Sequence, residues 1–489
     1  MSTSAVPKTT EPQAAPKRQL TLLDTTSIIV GIIIGSSIYE STPLIANMVP
    51  SDGWLQFSLS IPYLLDVSFS VPGAVWLAGF WLLGGLLSLV GALCYAELAT
   101  AYPQAGGDYV YLTRAFGRRW GFLFAWAQLW VVRPGSIGAM AYVFARYANQ
   151  LLPLGEGRLP LAAYATASII VLTAVNILGV REGKWTQNIL TIAKVLGLIA
   201  VVAAGLIWAI PTQAAQAAAA APSGGDFRLA LILILYAYGG WNEMAYVSAE
   251  VRNPEKNIVR ALLLGTAAVA VIYIVVNMSF VHALGFEGVR GAKAVAAEVL
   301  DKTPLGRYGG WFISLLICVS ALSAVNGLTL TGARIYYAMG TDHRLYRWLG
   351  EWSARWGTPA RSLIIQAAVT LALVAGFELA ASEQASSGFE SMVKFTTPVF
   401  WFFFLLVGET LFILRDREPQ VARPFRTPWF PRLPIWFYLS SLFMLYSSLS
   451  YAIEKRTYEA LWAVGILVAG LVLSYFDPTM KRRPEEPSR

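Results

Sequence analysis

Long runs of apolar residues, separated by short polar stretches, dominate the chain from residue 24 onward. A helix needs about 20 mostly apolar residues to cross a bilayer. Twelve segments meet this requirement. The pattern therefore predicts an all-α membrane protein with transmembrane helices at residues 24–46, 74–99, 119–149, 159–179, 186–210, 228–249, 259–284, 310–340, 359–380, 392–414, 433–453 and 459–476.

Composition supports the same class. Of the 489 residues, 56% are hydrophobic and 13% are charged, against about 25% charged in an average soluble protein. These values exclude a disordered chain and a disulfide scaffold. Cys94 and Cys318 lie inside apolar runs, and His282 and His343 lie in different segments. No zinc-ligand spacing results, so the sequence predicts no metal, no cofactor and no enzymatic activity.

The basic residues are distributed unevenly around the predicted helices. Lys and Arg number 24 in the segments on the side of the N-terminus and nine on the opposite side. Because positive residues favour the cytoplasmic side, both termini of this multi-pass protein are predicted to be cytoplasmic, in the plasma membrane. The same bias explains the net charge of +8 without a nucleic-acid partner.

Four segments outside the helices complete the predicted organisation. Residues 1–23 and 477–489 are polar tails, of which the first is predicted to be disordered. Residues 47–73 form a proline-containing outer insertion without Lys or Arg, which either caps the outer face or simply connects two helices. Residues 211–226 are an Ala-rich, low-complexity linker.

The first helix contains a break signal near its middle. Gly35, Ser36 and Ser37 interrupt the apolar run. Small residues there allow a helix to unwind, which exposes N–H groups to a carboxylate and carbonyl groups to an ammonium or a cation. Helix packing is the alternative, because Gly31 and Gly35 also form a GxxxG pair.

A second break signal lies in the sixth predicted helix, where Gly239 and Gly240 interrupt an apolar run. Gly239 lies five helices after Gly35 in the order of the chain. Broken helices at matching positions of two five-helix halves indicate an inverted-repeat transporter with its binding site at the middle of the membrane.

Several charged residues lie within or near the predicted helices. Lys194 is either functional or extends its ammonium to the membrane interface. The second alternative is open because the predicted helix begins only two turns before Lys194. Arg133, beside Pro134, needs a buried partner, for which Glu243 is the candidate; a structural pair is favoured over substrate contact. Glu97 and Asp108 are predicted to pair with arginines of the loops.

Taken together, these segments resemble those of the amino acid–polyamine–organocation (APC) transporters, and most closely those of their L-type amino acid transporter branch with its bacterial relatives. The resemblance extends over about residues 24–450. It rests on the run from Gly31 to Tyr39, on Cys94–Leu98 followed by Tyr102–Tyr109, on Arg133-Pro134, on Ala237–Asn242, on Glu250 with Asn253–Asn257, and on Asn326-Gly327 with Ala333-Arg334.

The resemblance implies the LeuT-type fold. Residues 24–210 and 228–414 would be two inverted five-helix repeats, with helices 1 and 6 unwound, and residues 433–476 would add two helices. A bundle of helices 1, 2, 6 and 7 would rock against a scaffold to give alternating access.

The resemblance also assigns roles to residues. Backbone N–H groups of Ser36, Ser37 and Ile38, beside Gly35, would bind the substrate carboxylate. Carbonyl groups of Ile32, Ile33, Tyr236, Ala237 and Gly239 would bind its ammonium. Tyr236 would also be the outer gate, while Tyr238 and Asn242 would complete the site. Lys194 would occupy the space of a sodium ion, bridging helix 1 near Gly31 to helix 8 near Ser320 or Ser323.

Two departures from the family pattern affect these expectations. Ser37 replaces the second glycine of a Gly-Ser-Gly motif, which narrows the approach to the site. The loop 150–160 has no cysteine, so no disulfide-linked heavy chain is expected as a partner. The prediction is a sodium-independent L-amino acid transporter, an exchanger or proton-linked, for neutral substrates. The alternatives are a carrier of cationic amino acids or polyamines and, less favoured, an amino acid sensor.

Overall fold

A computed structural model shows how these segments are arranged. It describes residues 15–35, 37–48, 54–61, 65–207, 227–292, 294–304, 306–380, 388–454, 458–477 and 479. Residues 1–14 of the predicted tail, the linker 211–226 and residues 480–489 therefore lie outside the described residues, as does Ser36 of the predicted binding site.

The described elements are mostly helices, and they follow the predicted apolar segments closely. The α-helices are α1 (Leu22–Ile33), α2 (Ser37–Ala46), α3 (Gly73–Ala101), α4 (Asp108–Phe116), α5 (Arg118–Ala127), α6 (Arg133–Leu151), α7 (Arg158–Leu178), α8 (Val180–Ile207), α9 (Phe227–Ala237), α10 (Pro254–Gly291), α11 (Val295–Asp301), α12 (Gly306–Asp342), α13 (Ala360–Ala380), α14 (Gly388–Arg417), α15 (Arg432–Glu454) and α16 (Tyr458–Phe476).

Among the described residues, seven helices are long and apolar enough to cross a membrane, and an eighth span results if the bent pair α1–α2 is counted as one. The chain is thus a multi-pass membrane protein. The most enclosed of these spans is α12, whose apolar window is 83% buried. It packs against α6, α8 and α1, so that it lies at the centre of the helix assembly.

The insertion 47–73 contains a hairpin, which the apolar pattern did not predict. Strands β1 (Trp54–Ile61) and β2 (Leu65–Pro72) pair in antiparallel fashion, with Phe57 opposite Phe69. In β1 the polar residues Gln56, Ser58 and Ser60 alternate with apolar residues. This alternation is typical of strands rather than helices. Among the described elements, this hairpin is the departure from the all-helical expectation.

The third predicted helix, 119–149, is interrupted before its middle. A π-helical turn, Gln128–Val132, separates α5 from α6, and the Arg133 N–H bonds to the Gln128 carbonyl, five residues back. Pro134 follows immediately and has no N–H to donate. Such a turn is typical of functional sites, and this one directs the Arg133 side chain into the interior.

Candidate functional site

The first helix leaves the helical conformation between Ile33 and Ser37. The Ile34 backbone has φ −73° and ψ 86°, and α2 continues at 45° to α1. The Gly35 N–H bonds to the Ile33 carbonyl instead of the Gly31 carbonyl. The break therefore leaves the carbonyl groups of Gly31 and Ile34 available to side chains from other helices.

The second break follows α9, which ends at Ala237. Gly240 has φ +119°, and the chain resumes as a 3₁₀ segment, Trp241–Glu250. A side chain at Gly240 would be strained at this φ, and its Cβ would lie 2.6 Å from Ile32 Cγ2. Glycine thus allows the second break to approach the end of α1 closely.

A tyrosine that the sequence did not single out links the two breaks. The Tyr273 hydroxyl, from α10, lies 2.9 Å from the Ile33 carbonyl oxygen and 3.2 Å from the Ala237 carbonyl oxygen, and it can donate to either. The Ile33 oxygen also accepts from the Gly35 N–H. A carbonyl oxygen has two lone pairs, so of these two oxygens it is that of Ala237 that keeps capacity to accept from a further donor. Tyr273 is fully buried, in a helix whose apolar pattern offered no signal for this role.

A cavity of about 410 Å³ lies between the breaks. Seven of the predicted site residues line it together with Glu243; they are Ile32, Ile33, Gly35, Ser37, Tyr236, Gly239 and Asn242. Its far wall comes from α14 and α15 and includes Trp401 and Phe437. Such a largely apolar cavity with a few convergent polar groups is typical of a small-molecule site.

Three predicted site residues do not line this cavity. Ile38 and Ala237 are buried beside it. The Tyr238 side chain points elsewhere, because its hydroxyl donates to the Trp81 carbonyl at 2.8 Å. For Tyr238, the sequence indicated the correct turn but could not indicate the direction of the side chain.

Lys194 lies at the first break, on α8. Its Nζ donates to the carbonyl groups of Gly31 and Ile34, both at 2.7 Å, and to that of Ser320 at 3.2 Å. The residue is 1% exposed, which does not agree with an ammonium extended to the interface. Three N–H donors meet three carbonyl acceptors, as an ammonium requires.

Two serines of α12 complete this cluster. The Ser320 hydroxyl donates to the Ile34 carbonyl at 2.7 Å, and the Ser323 hydroxyl donates to the Gly31 carbonyl at 3.3 Å. The carbonyl groups left free by the break are thus bound by α8 and α12 together. We refer to Lys194, Ser320 and Ser323 with these two carbonyl groups as the lysine cluster.

Arg133 and Glu243 form a buried ion pair in the cavity wall. Arg133 Nη1 lies 2.7 Å from Glu243 Oε2, and the side chains are 2% and 7% exposed. Thr331 donates to the same carboxylate oxygen at 2.6 Å, while Gln128 Oε1 accepts from Arg133 Nε at 3.1 Å. The hydrogen bonds satisfy both charges within a low-dielectric environment.

The prediction that arginines pair with the two other acidic residues is correct for Glu97 and wrong for Asp108. Glu97 accepts from Arg415 Nη2 at 2.6 Å and lies 3.5 Å from Arg423 Nε. Asp108 instead accepts from the Tyr246 hydroxyl at 2.6 Å. The arginines near this membrane face contact Glu97 and Glu418, and Tyr246 of the 3₁₀ segment covers Asp108.

Within the described part of the chain, no group of His, Cys, Asp and Glu is arranged to hold a metal ion. The arrangement instead offers backbone dipoles: the start of α2 presents N–H groups, and the ends of α1 and α9 present carbonyl groups, around one cavity. Such a site can bind a small zwitterion reversibly.

Comparison with known proteins gives consistent matches over nearly the full length. The family model described as amino acid permease matches residues 20–472. The b(0,+)-type amino acid transporter 1 of Homo sapiens is 29% identical over 480 residues, or 97% of this chain and 89% of that protein. The serine/threonine exchanger SteT of Bacillus subtilis is 28% identical over 439 residues, or 88% of this chain and 91% of that protein.

A third relative carries a different substrate in its name. The cystine/glutamate transporter of Homo sapiens is 28% identical over 441 residues, or 88% of this chain and 80% of that protein. Relatives at similar identity are thus named for different amino acids. The similarity indicates amino acid transport, and it does not determine which substrate side chain this chain prefers.

Proposed function

This chain belongs to the amino acid permease family, and on that premise we propose that it exchanges neutral L-amino acids across the plasma membrane without sodium. The observation that carries this proposal is the cavity between two helix breaks, one after Ile33 and one after Ala237. Both ends of an amino acid backbone find complementary dipoles there. The serine/threonine exchanger among the relatives supports exchange as the mode of transport.

We propose the LeuT-type architecture for the whole chain. Residues 24–210 and 228–414 form the two inverted repeats, and residues 433–476 form two additional helices. The positions of the breaks, in α1–α2 and after α9, support this assignment because they occur at matching places in the two halves. The excess of Lys and Arg on the side of the termini supports a cytoplasmic location for both.

In the proposed site, backbone groups bind the constant part of the substrate. The backbone N–H groups of Ser37 and Ile38, at the start of α2, bind the carboxylate together with that of Ser36, which lies outside the described residues. The carbonyl groups of Ile33 and Ala237 bind the ammonium, together with those of Ile32, Tyr236 and Gly239. Tyr236, which lines the cavity and is 39% exposed, acts as the gate.

The preference for neutral side chains follows from the ion pair. Glu243 is the acid that lines the cavity among its described residues, and Arg133 neutralises it at 2.7 Å. A substrate with a basic side chain would have to compete with Arg133 for this carboxylate. A carrier of cationic amino acids is the second candidate, since Glu243 does lie in the cavity wall.

Sodium independence follows from the lysine cluster. Carbonyl and hydroxyl oxygens from two helices are the ligands that a sodium ion would use. Here the Lys194 ammonium already binds the carbonyl groups of Gly31, Ile34 and Ser320. A fixed positive charge at this point removes the need for a co-transported cation.

The test is uptake of radiolabelled amino acids into proteoliposomes, either empty or preloaded with unlabelled amino acid. We expect uptake into preloaded vesicles that is equal with and without sodium. Uptake that needs sodium would contradict the role of Lys194. Uptake into empty vesicles driven by a proton gradient would replace exchange by symport, and no uptake of any amino acid would overturn the proposed function.

Competition tests the recognition of the substrate backbone. We expect the methyl ester and the decarboxylated amine of a transported amino acid to inhibit its uptake at least about 50-fold more weakly than the amino acid does, because each lacks one charged hydrogen-bonding group. A basic amino acid at the same concentration is the comparison for charge. Equal inhibition by the amine would contradict carboxylate binding at the break.

Ser37 sets an upper limit on substrate size in this proposal, because its side chain lines the cavity beside the break. We expect Ser37→Gly to improve the transport of amino acids with bulky aromatic side chains about 10-fold relative to small ones. Ser88→Gly is the control, since Ser88 lines the same cavity from α3. The same gain in both variants, or in neither, would argue against this role of Ser37.

A further inference from the structure

Asp108 is a buried carboxyl group outside the candidate membrane spans. It begins α4, between the span α3 and the helix α5, and is 2% exposed. Glu97 of the neighbouring helix pairs with two arginines, whereas no salt bridge of Asp108 occurs among the described residues. Burial without a cationic partner is unfavourable for a charged carboxylate.

The carboxyl group has one strong hydrogen bond. Tyr246, in the 3₁₀ segment, donates its hydroxyl to Asp108 Oδ2 at 2.6 Å. The second oxygen, Oδ1, is buried, and the neighbouring hydroxyl is that of Tyr95, which like Tyr246 lowers the pKa of Asp108. Two neutral hydroxyl groups do not replace the solvation of a charged carboxylate, so burial without a cation favours uptake of a proton.

The surrounding charges do not remove this preference. Arg133 and Glu243 both act on Asp108, but they are paired with each other, so their fields largely cancel. Burial is the main cause that raises the pKa of Asp108 to about 7. The ionisable groups that face it are Tyr95 from α3, Tyr111 from α4 itself, Tyr246 and Glu243 from the 3₁₀ segment, and Arg133 from α6.

The carboxyl group is connected to the cavity by two hydrogen bonds. Asn242, which lines the cavity, donates its amide to the Tyr246 hydroxyl at 3.4 Å, and Tyr246 donates to Asp108. The loop before α4 holds the same segment. Gly106 N–H donates to the Tyr246 carbonyl at 3.3 Å, and the Ser248 hydroxyl donates to the Gln104 carbonyl at 3.0 Å.

We propose that Asp108 is a proton-binding site whose protonation loosens the contact between the 3₁₀ segment and α4, and so makes the rate of transport depend on pH. The inference rests on the proposed function, because it takes movement of the 3₁₀ segment to be a step of amino acid transport. The charged carboxylate accepts a stronger hydrogen bond from Tyr246 than the neutral acid does. A proton therefore weakens the contact that must break when the segment moves.

The expected result is a pH-dependent exchange rate in proteoliposomes that have the same pH inside and outside. Asp108 is mostly protonated below pH 7 and mostly charged above it, so exchange should be roughly five-fold faster at pH 6 than at pH 8.5. Asp108→Asn should remove this dependence and keep the faster rate. Asp342→Asn should preserve it, because the Asp342 carboxylate accepts its hydrogen bond from the Tyr109 hydroxyl on α4 and not from Tyr246. An unchanged pH profile in Asp108→Asn would overturn the proposal.

Infrared difference spectroscopy of the purified protein tests the same site without transport. A protonated buried carboxyl group should give a carbonyl band that titrates near neutral pH and is absent from Asp108→Asn. Tyr246→Phe should move this titration to higher pH, since it removes a hydrogen bond that favours the charged form. A band that persists in Asp108→Asn would overturn the proton site, even if the protein transports amino acids; a titrating band in a protein without transport would overturn only the proposed function.

Discussion

Lys194→Met should reduce exchange of amino acids at least about 100-fold. Methionine has a similar length and no donor, so the substitution removes three hydrogen bonds from a charged group to Gly31, Ile34 and Ser320. Each such bond contributes about 1.5–3 kcal/mol, and 1.4 kcal/mol is a factor of ten. Losing even part of this free energy releases the end of α1 from α8 and α12. The measurement is initial uptake into preloaded proteoliposomes.

The control for charge is Lys256→Met. Lys256 is exposed near the start of α10, and its loss removes one positive charge without touching the lysine cluster. Amino acid uptake by the Lys256→Met variant should stay within two-fold of that by the unchanged protein, because exposed charges contribute little to stability. Uptake by Lys194→Met at the level of this control would mean that the ammonium is not needed for transport.

The lysine cluster is predicted by the resemblance to the APC transporters and not by the residues alone. A lysine inside an apolar span suggests function, and glycine and serine in mid-helix mark a break. These signals leave open whether Lys194 extends to the interface, and they do not join it to Ser320 or Ser323. Each predicted span also lies on one helix or on successive helices, since apolar length is a direct consequence of bilayer thickness. The apolar pattern does not predict the hairpin β1–β2, because no bilayer constraint applies to an insertion.

Other contacts depend on the fold and could not be predicted. Tyr273 and Asp108 lie in segments whose patterns fit ordinary helices, and their roles depend on which helix packs against them. The sequence predicts a loop arginine as the partner of Asp108, because opposite charges near one membrane face usually pair. The structure places Tyr246 over it instead, since Gly106 and Gly107 let the loop pack closely against Ala245 and Tyr246.

The ion pair Arg133–Glu243 provides the largest expected effect on stability. Glu243→Ala leaves the Arg133 guanidinium, which is 2% exposed, without its carboxylate. An unpaired buried charge typically destabilises a protein by about 3–5 kcal/mol. We therefore expect a large drop in the unfolding temperature of the purified variant in detergent, together with loss of folded protein on expression.

Replacement of both partners should restore most of this stability. The double variant Arg133→Met, Glu243→Met has no buried charge left, and such replacements are often close to neutral. The surface pair Arg361–Glu351 is the matched control, because its side chains are 53% and 49% exposed. Glu351→Ala should cost less than about 1 kcal/mol. If the double variant is as unstable as Glu243→Ala, the two residues do not act as one pair, and Glu243 must have a second role that only its own carboxylate can fill. Restored stability with altered substrate selectivity would instead mean that the pair holds the 3₁₀ segment against α6 and α12 and shapes the cavity wall from there.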